Sequence, residues 1–318
     1  MSVSNSSDFT RTRDQIIGRA LRLCNAVRAG ATPRAQQVTD AAEALNAMVK
    51  RWQKKQLHVW TVAEATLFPQ VAQVKYALVS GSADHATEAY YETGITSAAI
   101  SGATTLSVEE TTNITVADNI GVVVDDGTIH WTTVSSKTST TVTIASGIDD
   151  AAAVGNPVFT YTTKIVRPLK IVDARRYNIA SGQDTPISET QGSLMARLDY
   201  QSLPNKSQTG TINRAFYDPG RDTGYLYLWQ PVSTVTDLVK FTWHRPIMDF
   251  DAAGDNPDLP QEWFDALAFN LALLIAPEYD VTPERYTMIK EGAVEYLADV
   301  AGDDREGESL FIGVDMGY

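Results

Sequence analysis

Between residues 80 and 164 the sequence carries 18 threonines and only two Lys or Arg residues. That composition constrains the fold more than any other feature. β-branched side chains lose rotamer freedom in a helix and pack well on a pleated surface, so such a stretch favours extended chain. Turn formers recur through it at short intervals, and the runs between them predict strands at 104–108, 120–124, 128–134, 140–145 and 157–162. Asp125, Asp126 and Gly127 supply a hairpin turn between two of these. Five short strands in so few residues predict a small barrel or sandwich, and the change of composition on either side marks it as an insertion.

The flanks follow a helical period. Ile16, Ile17, Ala20, Leu21, Cys24 and Val27 make one apolar stripe over 12–29, with Gly30 as the stop. Thr32 and Pro33 then open a second helix over 33–56, whose buried face is Val38, Ala41, Leu45, Met48, Val49 and Trp52. Lys50, Arg51, Lys54 and Lys55 crowd its last turns, where cations suit the helix dipole. A third stripe covers 261–276, with Trp263, Phe264, Leu267, Ala268, Leu271, Leu273, Leu274 and Ile275. A fourth, opened by Thr282 and Pro283, covers 283–301 with Tyr286, Ile289, Ala293, Val294, Leu297 and Val300. Each stripe is too short to hold a helix alone in water.

The expected fold class is therefore α+β: a four-helix bundle assembled from both chain ends, with a central β region and an inserted all-β module. Its expected core is Leu21, Leu45, Trp52, Trp263, Leu267, Leu271 and Leu297. The expected divisions are the helical pair and first strands at 1–79, the inserted module at 80–164, a central β-rich region at 165–260, the completing helices at 261–302 and a terminal arm at 303–318. In the central region 225–229 alternates Tyr, Leu, Tyr, Leu, Trp, and 239–243 is its expected partner strand.

Charge is unevenly spread. The net charge is −13, yet residues 1–60 hold 10 Lys and Arg against 4 Asp and Glu, while 246–318 hold 3 against 17. Tight nucleic-acid binding by the whole chain is not expected, because phosphate contacts need a cationic surface. Opposite charge at the two ends invites contact between them, within a chain or between copies. The first residues are polar, so no secretory leader is expected, and no apolar run approaches the length of a membrane span. A single cysteine, Cys24, excludes an intramolecular disulfide and fits folding in a reducing cytoplasm.

Chemistry-bearing patterns are sparse. His58, His85, His130 and His244 lie outside metal-ligand spacing of one another, so no metal is expected. The pairs Glu109–Glu110, Asp125–Asp126, Asp149–Asp150 and Asp303–Asp304 sit in turn-rich stretches where neighbouring carboxylates diverge. Cys24 lies on an apolar stripe and reads as a small core hydrophobe. No phosphate loop, dinucleotide fingerprint or nucleophile elbow occurs. Neither an enzyme nor a cofactor is expected.

Three blocks resemble one known family. Ala44, Leu45, Asn46, Met48 and Trp52, running on to Leu57 and Trp60, form the first. Leu203, Pro204, Asn205 and Lys206, then Tyr217, Asp218 and Pro219, then Tyr225 to Trp229, form the second. Pro260, Gln261, Glu262, Trp263, Ala266, Leu267, Asn270, Leu271 and Ala272, followed by Ala276, Pro277, Glu278 and Tyr279, form the third. In order and spacing they resemble the head-to-tail adaptors of short-tailed bacteriophages, the tail tubular protein A and head-completion, DNA-stabilising group. The resemblance covers most of the chain outside 80–164.

It implies a ring, typically of twelve copies, beneath the portal in the virion neck. The ring would be assembled in the host cytoplasm, with the tail nozzle or other tail proteins below it. Genomic DNA would pass through the channel without sequence-specific binding, and no membrane would be involved. An acidic lumen would repel the duplex. The resemblance also implies that a C-terminal arm reaches the portal. The apolar residues Leu310, Phe311, Ile312, Val314, Met316 and Tyr318 suit that role. Two other readings remain: a decoration or tail protein binding through the β insert, and a virion-associated wall hydrolase using acidic residues.

Overall fold

A computed structural model describes residues 9–53, 59–187 and 194–303. The chain divides into two compact units, one of residues 1–61 with 247–318 and the other of residues 62–246.

The first unit is helical. α1 (Arg13–Leu23) starts at a capping box in which Thr12 accepts from the Gln15 backbone and the Gln15 side chain accepts from the Thr12 backbone. It stops earlier than Gly30, because Asn25 takes a left-handed φ of 60°. α2 (Ala35–Gln53) follows, and the chain re-enters the unit after Pro246. α4 (Phe264–Ile275) is the hub, with α1, α2 and α5 (Pro283–Asp303) each packed against it. Their common core includes Leu21, Leu45, Leu267 and Leu271, all fully buried, each contributing roughly 1.5–3 kcal/mol by leaving water.

The second unit holds fourteen strands among the described residues. β1 (Val62–Leu67) and β10 (Lys170–Asn178) flank β14 (Asp237–His244) antiparallel, and β11 (Asp184–Pro186) and β3 (Ala86–Thr87) complete a five-stranded sheet. β12 (Arg214–Pro219), β13 (Gly224–Trp229) and β2 (Lys75–Leu78) form a second sheet, and α3 (Arg197–Ser202) packs on β12.

The threonine-rich stretch closes into a six-stranded barrel in the order β4-β5-β8-β7-β6-β9. These strands are β4 (Tyr91–Ser97), β5 (Thr105–Val108), β6 (Asn119–Val123), β7 (Ile129–Lys137), β8 (Thr141–Ile144) and β9 (Pro157–Tyr161). The turn between β6 and β7 places Gly127 at φ +85°, with Asp126 accepting from the backbone of Thr128. Gly121 is needed on β6, because an added Cβ would stand 2.7 Å from the Trp131 ring. Ile129, Phe159 and Tyr161 of the barrel are buried in one cluster with Leu67, Leu228 and Phe241 of the sheets.

Two expectations are overturned. The fold class is not a four-helix bundle: the chain is mostly β, with five α-helices against fourteen strands among the described residues, a closed barrel and two further sheets. Local apolar periodicity reveals a helix within its own residues, whereas the β1–β14 and β10–β14 pairings join segments far apart in sequence. The helices that do form surround α4 as a hub. The second correction concerns 239–243, which does not pair with 225–229. It belongs to β14 and lies between β1 and β10, while β13 pairs with β12 and β2. The closer hairpin is already made by Pro219 and Gly224, which face each other at the β12–β13 end.

Candidate interaction surfaces

In the helical unit, Trp263 follows a tight turn begun at Gln261 and is 3% exposed. Its ring lies 5.7 Å from that of Trp52 on α2 and 5.0 Å from that of Trp60, centroid to centroid. The outer side of this cluster floors a cleft of about 540 Å³, walled by Pro260, Tyr296 and Val300 and rimmed by Glu262, Asp265 and Asp299. Glu262 and Asp265 stand at the start of α4, where carboxylates suit the positive end of the dipole. Asp265 also pairs with Arg19 at 2.9 Å.

Polar residues fasten the unit together. Asn46 forms a two-way bond with Phe250, accepting from its N–H at 2.9 Å and donating to its carbonyl at 3.2 Å. Lys50 donates to the Ile247 carbonyl and pairs with Asp249, both at 2.7 Å. Asn270 donates from α4 to the Ala293 carbonyl of α5 at 3.0 Å. Asn46 and Asn270 belong to the first and third family-like blocks, but what each one ties was not legible in the sequence, because its partner is a backbone group in a remote segment. The signal available was a polar residue interrupting an apolar stripe. Cys24 is buried, and its thiol donates to the Ala272 carbonyl at 3.3 Å. Burial raises its pKa to about 11, which leaves an unreactive thiol.

The residues expected to form the helical core have distinct placements. Leu21, Leu45, Trp52, Trp263, Leu267 and Leu271 are buried together, and Leu297 packs against them partly exposed. Leu310, Phe311, Ile312, Val314, Met316 and Tyr318 lie outside the described residues, as does His58.

In the β unit an aromatic cluster forms around Phe68, with Tyr90, Trp131 and Phe159 at 5.1–5.3 Å. His85 stacks on Trp131 at 3.8 Å and shares a 2.6 Å hydrogen bond with the Tyr161 hydroxyl. Burial, aided by the Lys164 ammonium, pushes the His85 pKa down to about 3 and holds the ring neutral. Burial also raises the Tyr161 phenol above its ordinary value.

His130 lies between Asp149 at 2.7 Å and Ser146 Oγ at 3.4 Å, the order of a hydrolytic triad. The environment is wrong for that chemistry. The Asp149 side chain is 79% exposed, so water screens it from the imidazole. Ser146 Oγ is exposed and bonds Thr132 at 2.8 Å, well inside its distance to His130. The three residues fasten the 145–150 turn to β7. Among the described residues no group of three or more His, Cys, Asp and Glu side chains is placed to hold a metal ion. No described helix is long and apolar enough to cross a membrane.

No family model matches this chain, and no curated protein matches it.

Proposed function

We propose that this chain is a structural head-to-tail adaptor of a short-tailed bacteriophage, forming a ring below the portal, extending the DNA channel and presenting a surface to tail proteins. One observation carries the reading: the first and third family-like blocks, from opposite ends of the chain, interlock. Trp52 and Trp60 of the first block meet Trp263 of the third. The polar members, Asn46 and Asn270, make the cross-ties to Phe250 and Ala293. A motif whose apolar and polar positions both act in one assembly is harder to reach by shared composition than a stripe of leucines. The second block is consistent with it, since Tyr217, Asp218 and Pro219 face Leu226, Tyr225 and Gly224 across one hairpin.

Ring, portal, tail protein and passing DNA are thus the proposed partners, with the virion neck as the location and no catalytic step assigned. The test is negative-stain microscopy of the full-length chain mixed with the portal protein of its phage. A ring of added density under the portal is expected. Absence of any portal complex at micromolar concentrations of both proteins would overturn the reading.

A further inference from the structure

The helical unit carries a concave patch lined by Arg11, Arg19, Arg22 and Arg285, with Leu23 and Met288 beside them. Two of the four guanidiniums are engaged: Arg19 pairs with Asp265, and Arg285 donates to the Arg22 and Leu23 carbonyls at the end of α1. Arg11 lies over the Phe9 ring, and Arg22 is exposed. Neither Arg11 nor Arg22 has an acidic partner among the described residues. Unneutralised guanidiniums held close together repel one another, so an anion supplied from outside would relieve the patch.

The complementary surface lies on α5. Glu291, Glu295 and Asp299 recur at i, i+4 and i+8, which places them along one face beyond Met288, and all three are exposed. Glu295 and Asp299 stand roughly 15 and 21 Å along the helix axis from Arg285, so they cannot fill the patch of their own copy.

We infer that the arginine patch receives the Glu291–Glu295–Asp299 face of α5 from a second copy of this chain. The patch and the Glu291–Glu295–Asp299 face adjoin at Met288 but are made of different residues, so the contact repeats head-to-tail from copy to copy, the kind that closes into a ring. Leu23 and Met288 give the patch an apolar margin that suits a protein partner. A net charge of −13 weighs against duplex DNA as the occupant. The inference rests on the ring reading and adds to it the surfaces through which neighbours meet.

The experiment is sedimentation velocity on the full chain at about 50 mM and about 500 mM salt, a range over which exposed ion pairs become screened. The wild type should self-associate at low salt and weaken by tenfold or more at high salt. Arg11→Glu with Arg22→Glu, and separately Glu295→Arg with Asp299→Arg, should each abolish association, and an equimolar mixture of the two variants should restore it. The paired alanine substitutions, gentler on folding, should weaken association several-fold, with circular dichroism melts checking each variant.

A wild type that stays monomeric at both salts overturns the inference. So does association insensitive to both reversals, or failure of the mixture to associate. If instead the wild type binds a short duplex DNA and only the arginine reversal loses that binding, the patch is a phosphate site. A portal-bound ring whose neighbours meet elsewhere leaves the adaptor reading standing and removes this contact. Salt-sensitive association without portal binding does the reverse.

Discussion

Trp52 and Trp263, from opposite ends of the chain, lie with ring centroids 5.7 Å apart and tilted by 56°. The contact ties α2 to the start of α4, the hub on which α1 and α5 also rest. Trp263→Ala would open a cavity at that joint. The expected loss is about 3–5 kcal/mol, read from chemical denaturation followed by far-ultraviolet circular dichroism. Trp263→Phe keeps part of the packing and should lose less than the alanine variant. An alanine variant with an unchanged midpoint would mean that the joint carries little of the unit's stability.

Asn46 tests a different kind of tie. Its side chain satisfies both backbone groups of Phe250, which is 3% exposed. Asn46→Ala removes both bonds at once and should cost about 1–3 kcal/mol, since a buried backbone donor and acceptor lose their partner. Asn46→Asp keeps the acceptor for the Phe250 N–H but sets a carboxylate against the carbonyl, so it should not restore the wild-type value. Thermal melts of the three proteins at pH 7 provide the comparison.

Cys24 should be silent toward thiol reagents. It is 2% exposed, donates to the Ala272 carbonyl, and has its pKa raised to about 11 by burial. A chromogenic disulfide reagent at pH 8 should label the native protein orders of magnitude more slowly than a free thiol, because both access and thiolate are lacking. Full labelling should appear on unfolding in denaturant. Immediate labelling of the native protein would show that α1 and α4 separate readily.

These contacts also mark what the sequence could reveal. α1, α2, α4 and α5 announce themselves through apolar stripes and start signals such as Thr282 with Pro283, where α5 begins, because a helix is specified by residues within a few positions of one another. All five expected barrel strands form from short β-branched runs, and the 125–127 turn supplied the hairpin between two of them. β4 was missed: its sequence, Tyr91–Ser97, holds Glu92 and Gly94 and has little apolar alternation. The sheet order was not legible, since Ala65 faces Phe241 and Ala174 faces Phe241 only after long loops close. The aromatic residues of the cleft read as core. The arginine patch could not be read at all, because Arg11, Arg22 and Arg285 come together only once α1 and α5 both rest on α4.

The last prediction concerns acid. His85 titrates near 3 in the folded chain, pushed down by burial and by Lys164, against about 6.5 for an unfolded histidine. Between those values the unfolded chain binds a proton that the folded chain refuses. Stability therefore rises with pH across that window. The His85 contribution is fully present above pH 6.5, falls as pH drops toward 3, and is constant below that. Partial exposure of the ring softens the effect, so a loss of roughly 2 kcal/mol by pH 4 is expected from this group. Carboxylates titrate over the same range, so the comparison is with His85→Gln, which takes no proton. Urea denaturation at pH 7 and pH 4 should show the wild type losing about 2 kcal/mol more than the variant. The variant should start less stable at pH 7, having lost the stacking on Trp131 at 3.8 Å. Equal pH losses in the two proteins would mean that His85 takes up its proton without unfolding, and that the cluster of Trp131, Tyr161 and Phe68 admits water.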